Sequence, residues 1–248
     1  MNEAELRYEA ERRQGELIRA GHEHAWGWSG AAGELRARRR AQFLIEAAHL
    51  GPGSVCLELG CGTGRFTELL SESGSELVAV ELSEATASLA RERLRGRGQV
   101  VIGNIETGEG VPEREYDAIV GVSVLHHLDL ELCLRNTFSL LRAGGRFAFS
   151  EPNMRNPQVW AERHVHFVKR LRHVTPHETA FTASSLRRSL ETAGFLVDLA
   201  EPFEFLHPAT PRALVPALLL AERVLERTPF REIAGSVRIS GSRPAVPG

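Results

Sequence analysis

Apolar and polar positions alternate between two periods along this chain. Val55-Cys56-Leu57-Glu58-Leu59, Leu77-Val78-Ala79-Val80, Val100-Val101-Ile102-Gly103 and Tyr116-Asp117-Ala118-Ile119-Val120-Gly121-Val122 are short apolar runs that predict buried strands. Helical patterns separate them: Phe66, Leu69 and Leu70 on one side, then Glu84 to Arg95 with Ser83 as N-cap, then the segment carrying Leu132, Phe138 and Leu141. Gly144-Gly145 is expected to end that last helix, and Phe147-Ala148-Phe149 to begin a fifth strand. Strand alternating with helix predicts an α/β fold, a doubly wound parallel sheet with helices on both faces.

The flanks are less regular. Residues 3–20 mix Glu and Arg with few apolar positions and predict a surface helix. His22 to Gly30 carries two Trp (Trp26, Trp28) and two His on a glycine-bordered loop, which either packs its indoles on the core or covers a substrate pocket. Leu35 to Leu50 predicts a helix whose Arg36, Arg38, Arg39 and Arg40 form a solvated face. Beyond the fifth strand, Arg155 to His177 holds five Arg or Lys, four His and one acidic residue, Glu162. That stretch reads either as a solvated helix face or as an insertion capping a substrate that bears phosphate or carboxylate. Thr182 to Ala193 predicts a capped helix, Phe195 to Leu199 a strand and Ser236 to Ser240 a final strand. Between those strands, Leu214 to Arg227 predicts a helix with Leu214, Leu218 and Leu225 on one side, expected to pack on the core. A substrate wall, a dimer face or a membrane-surface contact are its alternatives.

Composition narrows the function. The 248 residues have a formal net charge of −2, which gives no basis for wholesale nucleic-acid binding. Cys56, Cys61 and Cys133 have no metal-ligand spacing, so no metal is expected, and the sparse odd count fits a reducing cytoplasm. The Glu/Arg-rich start has no apolar core of a signal peptide, and the run Leu214 to Ala221, broken by Pro216, is too short to span a bilayer.

The chemistry centres on Gly60, Gly62 and Gly64, which follow the first strand at every second position and open a helix. A strand, a glycine turn and a helix N-terminus present backbone N–H groups to a ligand. A dinucleotide fingerprint would need glycine at 60, 62 and 65, but position 65 is Arg. Glu58-x-Gly60-x-Gly62-x-Gly64 resembles motif I of the class I S-adenosylmethionine-dependent methyltransferases. Tyr116 to Val122 followed by Ser123-Val124-Leu125-His126-His127-Leu128-Asp129 resembles that family's segment around strand four, and the Gly144-Gly145 turn into strand five is a further family feature.

The resemblance implies a Rossmann-like seven-stranded sheet, order 3-2-1-4-5-7-6 with the last strand antiparallel, and S-adenosyl-L-methionine as cofactor. It implies cofactor contacts from Glu58, Gly60, Cys61, Gly62, Gly64, Glu81, Leu82, Asn104, Ile105, Glu106, Val122 and His127. Glu81, about twenty residues past the first glycine, would accept from both ribose hydroxyls. Asn104 would meet the adenine, or else be a turn residue with its own Asx bond. His127 is the first candidate general base and His126 the second, although either could simply pack on the adenosine or bond a backbone carbonyl. Trp26, Trp28, Glu151, Asn153, Arg163 and His177 are the acceptor-side candidates. The expected organisation is a helical cap, residues 1–50, and a catalytic domain, 51–248, with a substrate-side insertion at about 152–181 and a helical excursion at about 202–229. The expected reaction is methyl transfer to oxygen of a small-molecule or glycan- or lipid-linked acceptor, by a monomer or homodimer that binds no nucleic acid and is not stably inserted in a membrane. A non-catalytic cofactor-binding subunit and a nicotinamide oxidoreductase are the alternatives, the second disfavoured by Arg65.

Overall fold

Strand residues pointing alternately to the two faces of a sheet generate both layers of the core. The computed structural model describes residues 3–19, 27–165 and 179–245. Its strands are β1 (Val55–Leu59), β2 (Glu76–Glu81), β3 (Gln99–Ile102), β4 (Tyr116–Val122), β5 (Leu141–Pro152), β6 (Leu196–Phe203) and β7 (Ser236–Ser242), in one sheet of order β3-β2-β1-β4-β5-β7-β6. β7 runs antiparallel to both neighbours, and the remaining pairings are parallel, as anticipated. The helices are α1 (Glu3–Arg19), α2 (Gly30–Ala47), α3 (Arg65–Leu70), α4 (Glu84–Leu94), α5 (Leu130–Leu140), α6 (Pro157–His164), α7 (Ala183–Thr192) and α8 (Val215–Leu225).

On one face Leu57, Leu59, Ile119, Phe147 and Phe149 pack with Leu134 of α5 and with Leu186 and Leu190 of α7. On the other, Cys56, Ala118, Val120 and Ala148 meet Ala41 and Leu44 of α2 and Phe66 and Leu70 of α3. Burial on both faces is why the central strands read as continuous apolar runs. Asp117 binds the two central strands together: its carboxylate accepts from Val55 N at 2.8 Å and from the Arg142 guanidinium, and these bonds hold its pKa below the usual range. Asp129 caps α5 through Leu132 N, and Thr182 and Ser185 form a reciprocal capping box on α7.

Three expectations are corrected. The glycine pair does not precede strand five but lies within it. β5 starts at Leu141, and Gly144 and Gly145 bond the backbone of Arg243 just past β7. Ser83 occupies the N-cap of α4 but makes no side-chain capping bond. Most notably, the arginines of α2 are not a solvated face. Arg40 is 2% exposed and, with Arg36, pairs with the buried carboxylate of Glu204, while Arg39 pairs with the buried Glu222. Burial alone would raise Glu204, but the charges of Arg40 and Arg36 outweigh it and hold its pKa below the ordinary value. Arg38 alone of the four is exposed.

The helix expected to pack on the core does so along one side only. Val215 and Leu219 of α8 join Ala32, Leu35 and Leu206, whereas Leu218, Leu220 and Val224 face outward, as does Leu214 just before the helix. No helix among the described residues is long and apolar enough to cross a membrane.

Candidate active site

The site is built where the parallel strands end. β1 stops at Leu59, and Gly60, Gly62 and Gly64 all take left-handed φ values of +61°, +54° and +77°. Space forbids a side chain as well: a Cβ at Gly60 would lie 2.4 Å from Val124 Cγ2, and one at Gly64 2.8 Å from the Ala90 backbone. Glycine is therefore required here both for the turn and for its close packing. Cys61, buried against β2, donates its N–H to Val80 O at 3.1 Å, and burial pushes its thiol well up.

Two carboxylates flank the turn. Glu81, at the end of β2, accepts from Gly62 N at 2.8 Å through Oε2 and from Ser83 N at 3.0 Å through Oε1. Desolvation raises its pKa, and those two backbone bonds oppose the rise. It stays partly exposed at the cleft. Glu58 lies underneath, 2% exposed, with Oε2 lacking any partner among the described residues. Burial, with the charge of Glu81 adding to it, pushes Glu58 up to about 7.

The turn after β3 forms the next wall. Asn104 Oδ1 accepts from Glu106 N at 2.9 Å, the Asx bond of a turn residue. Ile105 is buried, and Asn136 Nδ2 on α5 donates to the carbonyls of both Ile105 and Glu106. Glu106 itself is buried: Oε1 accepts from Asp129 N at 3.0 Å, and Oε2 takes the Arg7 guanidinium and the Tyr8 hydroxyl, the latter at 2.9 Å.

Those last two partners belong to α1, which lies across the cleft. Its Glu11 pairs with His127 Nδ1 at 3.1 Å, and Gly15 packs so closely on Ser83 that a Cβ there would fall 2.2 Å from Ser83 Oγ. Arg7, Tyr8 and Glu11 line the cleft together with Gly60, Leu82, Asn104, Ile105, Glu106, Val124 and His127, and a cavity of about 60 Å³ remains between them. Sequence reasoning missed α1's part. The signal was available, since positions 7, 8, 11 and 15 fall within about 100° of arc on an α-helix.

The two histidines after β4 are differently placed. His126 is buried, its Nδ1 2.8 Å from Glu151 Oε2, and Glu151 Oε1 also accepts from Val124 N and Leu125 N at 3.0 Å each. His127 is partly exposed at the cleft, its ring 4.1 Å from that of His126. Val122, just upstream, is buried in the sheet.

The acceptor-side candidates scatter. Glu151 and Asn153 are wholly buried, which corrects their expected exposure to substrate: Glu151 is committed to the turn above, and Asn153 Nδ2 donates to the carbonyls of Glu232 and Ala234. Trp28 takes the packing alternative. Its indole meets Phe66 edge-on at 5.1 Å, and the Arg36 and Arg40 guanidinium groups lie 5.0 and 4.9 Å from its ring. Arg163 donates to Thr179 O at 2.9 Å. Trp26 and His177 lie outside the described residues.

The strand order, the glycine turn and the acidic end of β2 together define the class I, Rossmann-like methyltransferase fold. The family described as "Methyltransferase domain" matches residues 32–199. The chain belongs to that family, whose cofactor is S-adenosyl-L-methionine. A probable S-adenosylmethionine-dependent methyltransferase of Mycolicibacterium smegmatis is 30% identical over 163 residues, 65% of this chain and 59% of that protein. A ubiquinone biosynthesis O-methyltransferase of Stutzerimonas stutzeri is 29% identical over 127 residues, covering 49% and 53% of the two chains. The chain thus spans little more than half the length of these curated relatives. Among solved structures, the N-methyltransferase NodS from Bradyrhizobium japonicum, in complex with S-adenosyl-l-homocysteine, superposes with a TM-score of 0.58 at 14% identity, over 87% of this chain and 89% of that one.

Proposed function

We propose that this protein transfers a methyl group from S-adenosylmethionine to a hydroxyl of a small-molecule or glycan- or lipid-linked acceptor, with His127 as general base. Residues 1–50 serve in this reading as a cap on a catalytic domain formed by 51–248. The chain offers groups that suit the cofactor: a glycine turn open to close backbone approach, a partly exposed carboxylate at Glu81, and an orphaned buried carboxylate oxygen on Glu58. Glu81, Leu82 and the turn from Asn104 to Glu106 would hold the nucleoside end, and Glu58 with Gly60 to Gly64 the amino-acid end. The bound cofactor supplies a methyl group already activated on a sulfonium, so the protein's task is positioning and exclusion of water.

The observation that carries the oxygen assignment is the pairing of His127 with Glu11 at the cleft. A carboxylate against Nδ1 orients an imidazole and raises its basicity, and this imidazole is partly exposed. His127 would take the proton of the acceptor hydroxyl, while the bound cofactor would supply the methyl group to that oxygen and keep the bonding electrons as a neutral thioether. His126, buried and tied to Glu151, is a positioning residue that holds the 124–127 turn.

The test is to supply isotope-labelled S-adenosylmethionine to fractionated metabolite extracts and follow methylated products by mass spectrometry. With the acceptor in hand and the cofactor saturating, His127→Ala is expected to lower kcat by roughly 10²–10⁴-fold. A nitrogen- or carbon-methylated product, or an unchanged kcat in the variant, would refute the assignment.

A further inference from the structure

The outer face of α8 presents apolar side chains that none of the described residues covers. Leu214, Leu218, Leu220 and Val224 are 40–65% exposed, with Ala217 and Ala221 exposed between them and Phe230 64% exposed beyond. The helix is not loosely held. Val215 and Leu219 pack inward, and the buried Glu222 accepts from Phe205 N and Leu206 N while pairing with Arg39. A contiguous apolar ridge on a firmly docked element marks an interaction surface.

The charge around the ridge selects its partner. Arg212, Arg223 and Arg227 are exposed along it, and none makes an ion pair among the described residues. The neighbouring acids are engaged elsewhere: Glu222 with Arg39, Glu201 with Arg231 and Arg238, Glu232 with Arg155, and Glu226 Oε1 with Glu204 N. An apolar face rimmed by cations without anions matches the boundary of an anionic bilayer, where apolar side chains enter the acyl region and arginines meet phosphates. A second copy fits less well. A two-fold contact would place the same three arginines against one another, and a helix about 16 Å long offers a ridge far narrower than the roughly 800 Å² per partner of a stable interface.

We propose that the α8 face seats the protein on the surface of membranes containing anionic lipids. Its place in the fold gives the contact a use. The segment from β6 to β7 lies at the carboxyl edge of the sheet, where Phe203 and Pro152 both pair with Ser236, the edge at which the parallel strands deliver Gly60, Glu81 and His127. Seating α8 brings that edge close to the bilayer, within reach of a lipid-linked acceptor that stays in the membrane. The proposal deepens the acceptor side of the methyl-transfer reading. Vesicle binding is measured without cofactor or acceptor, so its failure leaves transfer itself untouched.

The experiment is flotation of the full chain with phosphatidylcholine vesicles, with and without phosphatidylglycerol. The protein is expected to float with the mixed vesicles only, and less so as salt rises. Leu218→Glu with Leu220→Glu should abolish flotation. Replacing Arg212, Arg223 and Arg227 by Gln should weaken it on the order of 100-fold. All five positions are exposed, so both variants should keep the wild-type melting temperature; should either fail to fold, the lipid and salt dependence of the wild type decides. No flotation, flotation indifferent to phosphatidylglycerol, an arginine variant that binds like wild type, or a solution dimer split by the leucine substitutions would each overturn the proposal.

Discussion

Gly15 gives direct access to the helix that covers the cleft at the strand ends. With α1 in place the cavity is about 60 Å³, whereas ligand sites run to roughly 300–1,000 Å³, so α1 is expected to shift as the cofactor enters and to settle back over it. In Gly15→Ala the new Cβ meets Ser83 Oγ at 2.2 Å and Ser83 Cβ at 2.7 Å. Rotating the hydroxyl relieves only the first contact. Overpacking of this kind costs about 1–3 kcal/mol, which corresponds to undocking α1 roughly 5- to 150-fold more often. Helix propensity works in the opposite sense, because Ala stabilises a helix interior by about 1 kcal/mol over Gly; α1 should stay helical while its docking loosens. Hydrogen exchange across residues 7–15 and stopped-flow cofactor association are the assays, and both should speed up. Gly15→Ala with Ser83→Gly should restore both rates, since Ser83 makes no capping bond that the second change could remove. Unchanged exchange in the single variant, or no restoration in the double, would refute the docking contact. Faster exchange with unaltered association would refute α1 as the barrier to entry.

Glu58 predicts a pH dependence of stability. Its carboxyl titrates near 7 in the folded chain, against an ordinary value of 4.5, so the native state holds the proton to higher pH than the unfolded one. Stability should therefore fall by a few kcal/mol as pH rises from about 4.5 to about 7 and then level off; urea unfolding of Glu58→Gln should lack that slope, and an identical slope would exclude Glu58 as its source. Glu81→Ala should weaken S-adenosylmethionine binding by about 2–4 kcal/mol in calorimetry, partly through the loss of its hold on Gly62 N, and neither form should bind nicotinamide dinucleotides; wild-type affinity in the folded variant would place the cofactor elsewhere. Glu204→Gln leaves Arg36 and Arg40 buried without their anion and should cost about 3–5 kcal/mol of unfolding free energy, part of which Arg40→Met should recover; a loss below about 1 kcal/mol would mean that water reaches the cluster.

The sheet was legible because strands buried on both faces write continuous apolar runs, and the glycine turn because its φ values admit little else. The α2 arginines misled for a physical reason. Four Arg in five residues look solvated, and their carboxylates stand 164 and 168 positions away, where no spacing rule reaches. Glu151 and Asn153 sit at the expected edge, but their oxygen and nitrogen atoms are turned inward and taken by backbone groups and, for Glu151 Oε2, by the His126 ring. Which way a side chain turns at a strand end depends on unpaired backbone nearby, which sequence does not display. Asn104 kept the expected place, and its Oδ1 makes the turn's own bond.

The α2 cluster also sets an order of assembly. A ribosome releases Arg36, Arg39 and Arg40 long before Glu204 and Glu222, and until those carboxylates arrive the arginines must stay hydrated. α2 therefore cannot take its final seat on the sheet when β1 and β4 first pair; its docking waits for nearly the whole chain. The family match ends at residue 199, five positions short of Glu204. A fragment trimmed to that match would keep β1 to β5 yet lack the carboxylates that pair with Arg36, Arg39 and Arg40. The last fifth of the chain is thus a folding requirement of the first, and an unfinished chain is held open by its own charge.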